Sequence, residues 1–225
     1  WNNENNFGPS PKAMNHVTTS LSNSHYYPDP VCTELRNLLA TKWKRKFEEV
    51  AVGNGSESIF NNLFNAFFEN GDELLTCSGT FVAVYIWAKA NNVKVQTVPL
   101  AEGFGFDLDA LYNAINDKTK AIYLSNPNNP TGSMISEKDL VAFIQKVPND
   151  ILIIVDEAYY EFAHDLSSEF PNSASYDYEN VLTLRTFSKA YGIAAIRIGY
   201  AIGHEKLIEA IMKVKLTFEP SNLAQ

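Results

Sequence analysis

The sequence predicts an α/β fold, a three-layer α/β/α sandwich with a mostly parallel sheet. Short apolar, β-branched runs alternate with segments of helical spacing along most of the 225 residues, as in a right-handed βαβ layout. The run Ile-Leu-Ile-Ile-Val at 151–155 is apolar on both faces, as expected for a strand inside a parallel sheet. The composition, 45% hydrophobic and 20% charged, is typical of a soluble globular protein.

In chain order, the sequence divides into an N-terminal arm, 1–30, and a large domain, 31–225. The arm is rich in Asn, Pro, Ser and Gly and has little periodicity, so we expect it to be extended. The predicted helices, which carry apolar residues at helical spacing, are 31–47, 59–69, 82–90, 106–114 and 137–146. The predicted strands are 49–52, 72–77, 93–98, 120–124, 151–155, 181–184 and 198–202.

The two ends of the sequence suggest an incomplete chain. It begins with Trp1 rather than methionine, and it stops shortly after Ser221, a residue suited to cap a new helix. We therefore expect a C-terminal domain to be missing.

Charge, cysteine count and apolar runs argue against several classes of protein. The formal net charge of −8 disfavours nucleic acid as a partner. No apolar run approaches the roughly 20 residues of a membrane-spanning helix, and no secretory signal opens the chain. Cys32 and Cys77 are too few for a disulfide framework, and no Cys/His cluster has the spacing of a zinc site. We expect a cytoplasmic protein with no membrane, nucleic-acid or metal partner.

The lysine after the strand at 181–184 is the first candidate catalytic residue. Thr186 and Ser188 lead directly to Lys189, and a run of small residues brings Arg197 back towards it. A lysine amine in a partly dry site condenses reversibly with aldehydes, whereas hydroxyls and a guanidinium suit a phosphate. Pyridoxal 5′-phosphate (PLP) is an aldehyde with a phosphate. This stretch alone is equally compatible with a surface lysine that follows a strand.

Other uncommon residues also follow strands. The glycine-bearing turn at 53–58 leads into a helix, so the amides near Ser56 form a candidate anion site, although Ser56 could instead only cap the helix. Phe81 could lie over a planar ring or simply pack in the core. Asp156 needs a cationic partner or several donors beside a buried strand. Five such residues are Gly55, Phe81, Asn129, Asp156 and Lys189. Ligands of open α/β sheets bind at the carboxyl ends of the strands, so the pattern favours a functional site at that edge of the sheet.

Three ordered motifs carry a family resemblance. They are Asn-Pro-Asn-Asn-Pro-Thr-Gly at 126–132, Asp-Glu-Ala-Tyr at 156–159, and Thr-Phe-Ser-Lys at 186–189 with Arg197. They resemble the fold-type I PLP-dependent enzymes, aminotransferase class I/II. Shorter motifs at 3–5, 8–11, 27–30 and 53–56 resemble the histidinol-phosphate aminotransferase branch. The resemblance runs nearly end to end and implies that 31–225 is a PLP-binding large domain whose C-terminal small domain is missing.

The resemblance also implies a role for each site residue. Lys189 would hold PLP covalently and then move a proton between the substrate Cα and the cofactor. Asp156 would pair with the pyridine nitrogen, and Asn129 and Tyr159 would hydrogen-bond the phenolic oxygen. Phe81 would stack on the ring. The phosphate would be held by the amides of Ser56 and Glu57, by Thr186, Ser188 and Arg197, and by Tyr27 from a neighbouring subunit. A homodimer would then complete the site.

The activity implied is transfer of an amino group between a small amino donor and a 2-oxo acid. The resemblance favours histidinol phosphate and 2-oxoglutarate as substrates, giving imidazole acetol phosphate and glutamate in histidine biosynthesis. An aromatic amino acid aminotransferase, an amino-acid-phosphate decarboxylase of the same lineage, and a catalytically incomplete PLP-binding fragment stay open.

Some positions depart from the family pattern. Asn6 and Phe7 stand where a proline is frequent, Glu57-Ser58 replaces an Asp-Glu pair, and Phe81 replaces a common tyrosine. The family arginine that binds the substrate carboxylate lies in the small domain, so we assign no residue to it.

Overall fold

A seven-stranded sheet forms the centre of the molecule. The computed structural model describes residues 2–225. The strands are β1 (Val50–Gly53), β2 (Glu73–Cys77), β3 (Lys94–Val98), β4 (Thr119–Ser125), β5 (Leu152–Asp156), β6 (Val181–Thr186) and β7 (Gly199–Gly203). Their order across the sheet is β1-β7-β6-β5-β4-β2-β3. Strands β2 to β6 run parallel, whereas β7 is antiparallel to both of its neighbours. The predicted mostly parallel sheet is confirmed.

Helices cover both faces of this sheet. They are α1 (Pro11–Ser20), α2 (Thr33–Trp43), α3 (Gly55–Phe67), α4 (Ala83–Ala90), α5 (Leu108–Asn113), α6 (Glu137–Lys146), α7 (Tyr160–Leu166) and α8 (Glu205–Val214). Strand β5 shows why both faces need cover. Leu152 and Ile154 pack in one core with α3, α4 and α8, whereas Ile153 and Val155 pack in another with α5 and α6. The side chains of a strand alternate between faces, so the sheet is the middle of three layers.

The N-terminal arm differs from the extended segment that we expected. It contains α1, which begins where the Ser10 hydroxyl accepts a hydrogen bond from the Ala13 amide (3.2 Å) ahead of Pro11. Serine as a cap and proline in the first turn are favourable for a helix. No residue of α1 is buried, so burial of an apolar face does not explain why this helix forms.

Two helical predictions need correction, and helices α7 and α8 were not predicted. Helix α2 is shorter than 31–47, because Lys44 takes a left-handed conformation (φ 55°) and ends it. Helix α3 begins at Gly55, four residues before the predicted start, so Ser56 lies inside the first turn and does not cap it. Helix α8 was not predicted, although Ile208 and Ile211 are buried at helical spacing.

Within residues 2–225, no helix combines the length and apolar character needed to cross a bilayer. Cys32 and Cys77 are buried free thiols. In the same described part of the chain, no three His, Cys, Asp or Glu side chains are grouped to hold a metal ion.

Candidate cofactor site

A cavity of about 890 Å³ opens at the carboxyl ends of the parallel strands. Every predicted site residue except Tyr27 lines it: Ser56, Glu57, Phe81, Asn129, Asp156, Tyr159, Thr186, Ser188, Lys189 and Arg197. Asp156 is the last residue of β5, and Thr186 is the last residue of β6. The parallel register therefore brings residues together that lie far apart in the chain.

Asp156 forms the buried end of the cavity. Its side chain is almost fully enclosed, and its two carboxylate oxygens accept from different donors. Oδ2 accepts from the Tyr123 hydroxyl at 2.7 Å, and Oδ1 accepts from the Ala158 amide at 3.1 Å. Burial raises the pKa of Asp156, whereas both donors and Lys189 act in the opposite direction. A carboxylate held in this way favours a cationic group in the cavity.

Lys189 lies half-buried in the same cavity. Burial lowers the pKa of its amine, which increases the neutral, nucleophilic fraction near pH 7. The amine donates to the Asn2 carbonyl at 2.6 Å and lies 5.7 Å from the centre of the Tyr159 ring. The amine is therefore in a suitable environment to react with an aldehyde.

The walls of the cavity carry Tyr159, Asn129 and Phe81. The Tyr159 hydroxyl accepts from the Asn3 side-chain amide at 3.0 Å, and burial raises the pKa of the phenol. It is therefore protonated near neutral pH and can still donate a hydrogen bond to a ligand oxygen.

An anion-binding arrangement forms the opposite end. The first turn of α3, a helix of 13 residues, presents free amides there. The Ser188 hydroxyl accepts from Thr186 Oγ1 at 2.9 Å and from Arg197 Nη1 at 3.4 Å. Two hydroxyls and a guanidinium thus meet a helix N-terminus, which suits a phosphate.

Gly55 allows this approach of the guanidinium. It has φ +76°, and a Cβ at this position would come within 2.5 Å of Arg197 Nη2. Arg197 itself is in the left-handed region (φ 60°), which is uncommon for a residue other than glycine. Backbone strain of this kind is concentrated at functional sites, and Arg197 lines the cavity.

A buried ion pair supports both strands that carry the site. Arg185 Nε donates to Glu157 Oε2 at 3.0 Å, and both side chains are almost completely excluded from solvent. The Arg185 guanidinium also lies over the rings of Tyr160 (3.4 Å) and Trp43 (4.1 Å). Because Glu157 follows Asp156 and Arg185 precedes Thr186, this pair connects the two strand ends.

Sequence reasoning missed several residues in the site and beside it. Glu219 is buried, and its Oε1 accepts from the Asn54 amide at 2.8 Å, just before α3. Asn2, Asn3 and Glu4 of the arm line the cavity. The motif at 3–5 pointed to the arm, but nothing in the sequence connects Glu219 with a turn 165 residues earlier.

Tyr27 does not line the cavity of its own chain. Its side chain is 79% exposed, and its ring stacks on Phe218 with the centroids 4.3 Å apart. Its action on a neighbouring subunit stays a prediction.

Comparison with known proteins decides the family. Residues 2–225 match the model of aminotransferase class I and II. The chain belongs to this family. The predicted family and fold class are therefore confirmed.

Curated relatives carry two kinds of name. Histidinol-phosphate aminotransferase 2 of Hydrogenovibrio crunogenus is 42% identical over 226 residues, covering 99% of this chain and 60% of the relative. The aromatic amino acid aminotransferase of Corynebacterium glutamicum strain R is 39% identical over 223 residues, covering 99% of this chain and 65% of the relative. The chain thus spans less than two thirds of the length of these relatives.

Solved structures agree with the family. Histidinol-phosphate aminotransferase from Sinorhizobium meliloti, in complex with pyridoxal-5′-phosphate, matches with a TM-score of 0.93 and 30% identity. The match covers 99% of this chain and 60% of the Sinorhizobium chain. Aspartate aminotransferase from Thermus thermophilus with maleate has a TM-score of 0.89 and 28% identity, with 99% and 61% covered. The family and the first of these structures support the predicted PLP cofactor.

The cavity of this chain fits PLP at each chemical group. Asp156 would provide an anion for the pyridine nitrogen, Lys189 an amine for the aldehyde, and the α3 turn with Arg197 donors for the phosphate. Asp156 and Arg197 both act on the charge of the Lys189 amine, with opposite sign.

Proposed function

We propose that the protein is a PLP-dependent aminotransferase that uses histidinol phosphate and 2-oxoglutarate, giving imidazole acetol phosphate and glutamate. One observation carries the PLP-dependent chemistry: a half-buried lysine, a buried carboxylate and an anion-binding helix N-terminus share one cavity. The substrate assignment has weaker support, from relatives named histidinol-phosphate aminotransferase at 39% and 42% identity.

PLP, when bound, supplies an electron sink that stabilises negative charge at the substrate Cα. We propose that the Lys189 amine would condense with the aldehyde with loss of water and, once the substrate amine has displaced it, would move the proton at the substrate Cα. Asp156 holds the proton on the pyridine nitrogen. Tyr159 and Asn129 bind the phenolic oxygen, and Phe81 covers one face of the ring.

We propose that the phosphate lies at the first turn of α3. The binding groups there are the Ser56 and Glu57 amides, Thr186, Ser188 and Arg197. Arg197 is exposed, so several neutral donors, rather than one buried charge, share the stabilisation of the phosphate.

Two copies of the chain complete this site in our proposal, with Tyr27 of each copy reaching the other's phosphate. The exposure of Tyr27 outside its own cavity supports this arrangement. A mixture of Tyr27→Ala and Lys189→Ala chains tests it, because their heterodimer would contain one unaltered site. At a PLP concentration too low to saturate Tyr27→Ala, the mixture is expected to be more active than either parent alone. No recovery in a mixture shown to contain heterodimers would contradict the shared site.

Amine transfer in the full-length protein tests the substrate proposal. Glutamate formation from 2-oxoglutarate is measured with L-histidinol phosphate, L-phenylalanine and L-threonine phosphate, with Lys189→Ala as the inactive control. We expect glutamate most rapidly with L-histidinol phosphate. Preference for L-phenylalanine would establish an aromatic aminotransferase, which the Corynebacterium relatives favour. Carbon dioxide release without glutamate would indicate a decarboxylase, and no product with any donor would favour a catalytically incomplete protein.

The cytoplasmic location is also part of the proposal. Cell fractionation with detection of the full-length protein checks it.

A further inference from the structure

Tyr123 is a buried residue next to the cofactor site that the roles above do not use. It lies in β4 with a side chain only 1% exposed, and its ring packs beside Phe60 with the centroids 5.3 Å apart. Its hydroxyl donates to Asp156 Oδ2 at 2.7 Å. The whole Tyr123 side chain is thus enclosed in the hydrophobic core, and its hydroxyl is directed at the Asp156 carboxylate.

The sheet register explains how the two side chains meet. Tyr123 pairs with Ile154 of β5, and Asp156 lies two residues further along the same strand. Residues two apart in a strand share a face, so Asp156 and Tyr123 are diagonal neighbours on one face of the sheet. The contact therefore depends on the central strands and not on a mobile loop.

The Asp156 carboxylate has two hydrogen-bond donors, the Tyr123 hydroxyl and the Ala158 amide. Each donates to a different oxygen, which fixes the orientation of the carboxylate plane. Burial raises the pKa of Tyr123 well above its ordinary value, so the phenol keeps its proton and acts as the donor. Donation to the ionised form favours that form and opposes the effect of burial on Asp156.

We propose that Tyr123 is a positioning residue of the cofactor site, whose hydroxyl keeps the Asp156 carboxylate ionised and correctly oriented. The proton between Asp156 and the pyridine nitrogen of PLP would then stay on the nitrogen. This inference rests on the proposed PLP site but not on the identity of the amino donor. Four ionisable groups act on Asp156 from its surroundings: Tyr123 of β4, Glu157 and Tyr159 of the following loop, and Lys189. Of these, only Tyr123 donates a hydrogen bond to the carboxylate in the structure.

The variant Tyr123→Phe, in the full-length protein, removes this donor and keeps the ring. In the cofactor-free protein, the ¹³C carboxyl resonance of Asp156 should titrate at higher pH than in the unaltered protein. With PLP bound, the ¹⁵N resonance of the ring nitrogen should move towards its unprotonated position. We expect kcat to fall about tenfold, because a hydrogen bond to a charged group is lost, with less than about a twofold change in KM.

Tyr200→Phe is the matched control. Tyr200 is also 1% exposed, and its hydroxyl accepts from the Trp43 indole at 3.1 Å, away from the cavity. The Tyr200→Phe variant loses a buried hydroxyl but should move neither the ¹³C resonance of Asp156 nor the ¹⁵N resonance of the ring nitrogen. If Tyr200→Phe moved them as much as Tyr123→Phe does, the positioning role would be overturned.

A second substitution covers the case in which Tyr123→Phe does not fold. Site-specific 3-fluorotyrosine at 123 keeps the hydroxyl and makes it a stronger donor, so the Asp156 resonance should titrate at lower pH than in the unaltered protein. Unchanged ¹³C and ¹⁵N resonances in the folded variants would overturn the inference. Because both resonances are observed without substrate, they test Tyr123 even if the substrate proposal fails.

Discussion

The two ends of the cavity stabilise charge in different ways. At one end, a single carboxylate, Asp156, is 7% exposed and is held by two donors in the core. At the other end, the exposed Arg197 lies beside hydroxyls and the amides of the first turn of α3, so several donors face an anion together. A buried charge has no solvent to replace a lost partner, whereas an exposed cluster does. We therefore expect the reaction rate to depend on single residues at the buried end, and cofactor affinity to depend additively on several at the other.

Lys189→Ala, between the two ends, should have the largest effect. The variant loses both the amine that binds the aldehyde and the proton carrier, so kcat should fall at least about 10²–10⁴-fold. Steady-state kinetics and the visible absorbance of bound PLP measure both losses. Lys213→Ala, which changes an exposed lysine paired with Glu209, is the control and should be unaffected. An unchanged absorbance in Lys189→Ala would refute the assignment.

Asp156→Asn should have the next largest effect and tests the buried end. The amide keeps the shape of the side chain but not its charge, so kcat should fall about 10²–10³-fold while PLP is retained. Asp109→Asn, at an exposed carboxylate that pairs with Lys146, provides the control. Near-normal rates in Asp156→Asn would show that this charge does not tune the cofactor.

Arg197→Ala should reduce PLP affinity more than the rate. Loss of one charged donor among several should weaken binding about tenfold to hundredfold, with a smaller change in kcat at saturating PLP. Equilibrium titration of each protein with PLP at two ionic strengths measures the affinity. The affinity of the unaltered protein should depend more strongly on salt than that of the variant. A large fall in kcat without loss of affinity would mean that the two ends do not differ as described.

Glu219→Ala should have the smallest effect. It removes the acceptor of the Asn54 amide before α3 and should weaken PLP binding about two- to tenfold by loosening the turn. Glu219→Gln keeps an acceptor oxygen and should bind PLP more tightly than Glu219→Ala. Equal affinity of the two variants would argue against the hydrogen bond as the cause.

Much of the site was predictable because its residues follow strands in recognisable turns. Lys189, Asp156 and Asn129 each come shortly after an apolar run, and their types suggest chemistry before any fold is known. Tyr123 was not predictable, because an aromatic residue inside a strand reads as core and its hydrogen-bond partner is set by the sheet register.

The fold shows the same division. Alternation of strands and helices predicted the parallel part of the sheet, where each strand is followed by a crossover. The antiparallel direction of β7 depends on pairing with β1, more than 140 residues earlier, which local patterns do not encode. In contrast, the apolar stripe of α8 with Ile208 and Ile211 is present in the sequence and is sufficient to indicate this helix.

The most direct test of the central claim is to locate the covalent bond between the protein and PLP. The full-length protein is loaded with PLP, reduced with sodium borohydride, digested and examined by mass spectrometry, with Lys189→Ala treated in parallel. We predict that the pyridoxyl mass is found on the peptide that contains Lys189 and is absent from the variant. Stoichiometric label on another lysine, or no label on the unaltered protein, would contradict the assignment of this cavity as the cofactor site.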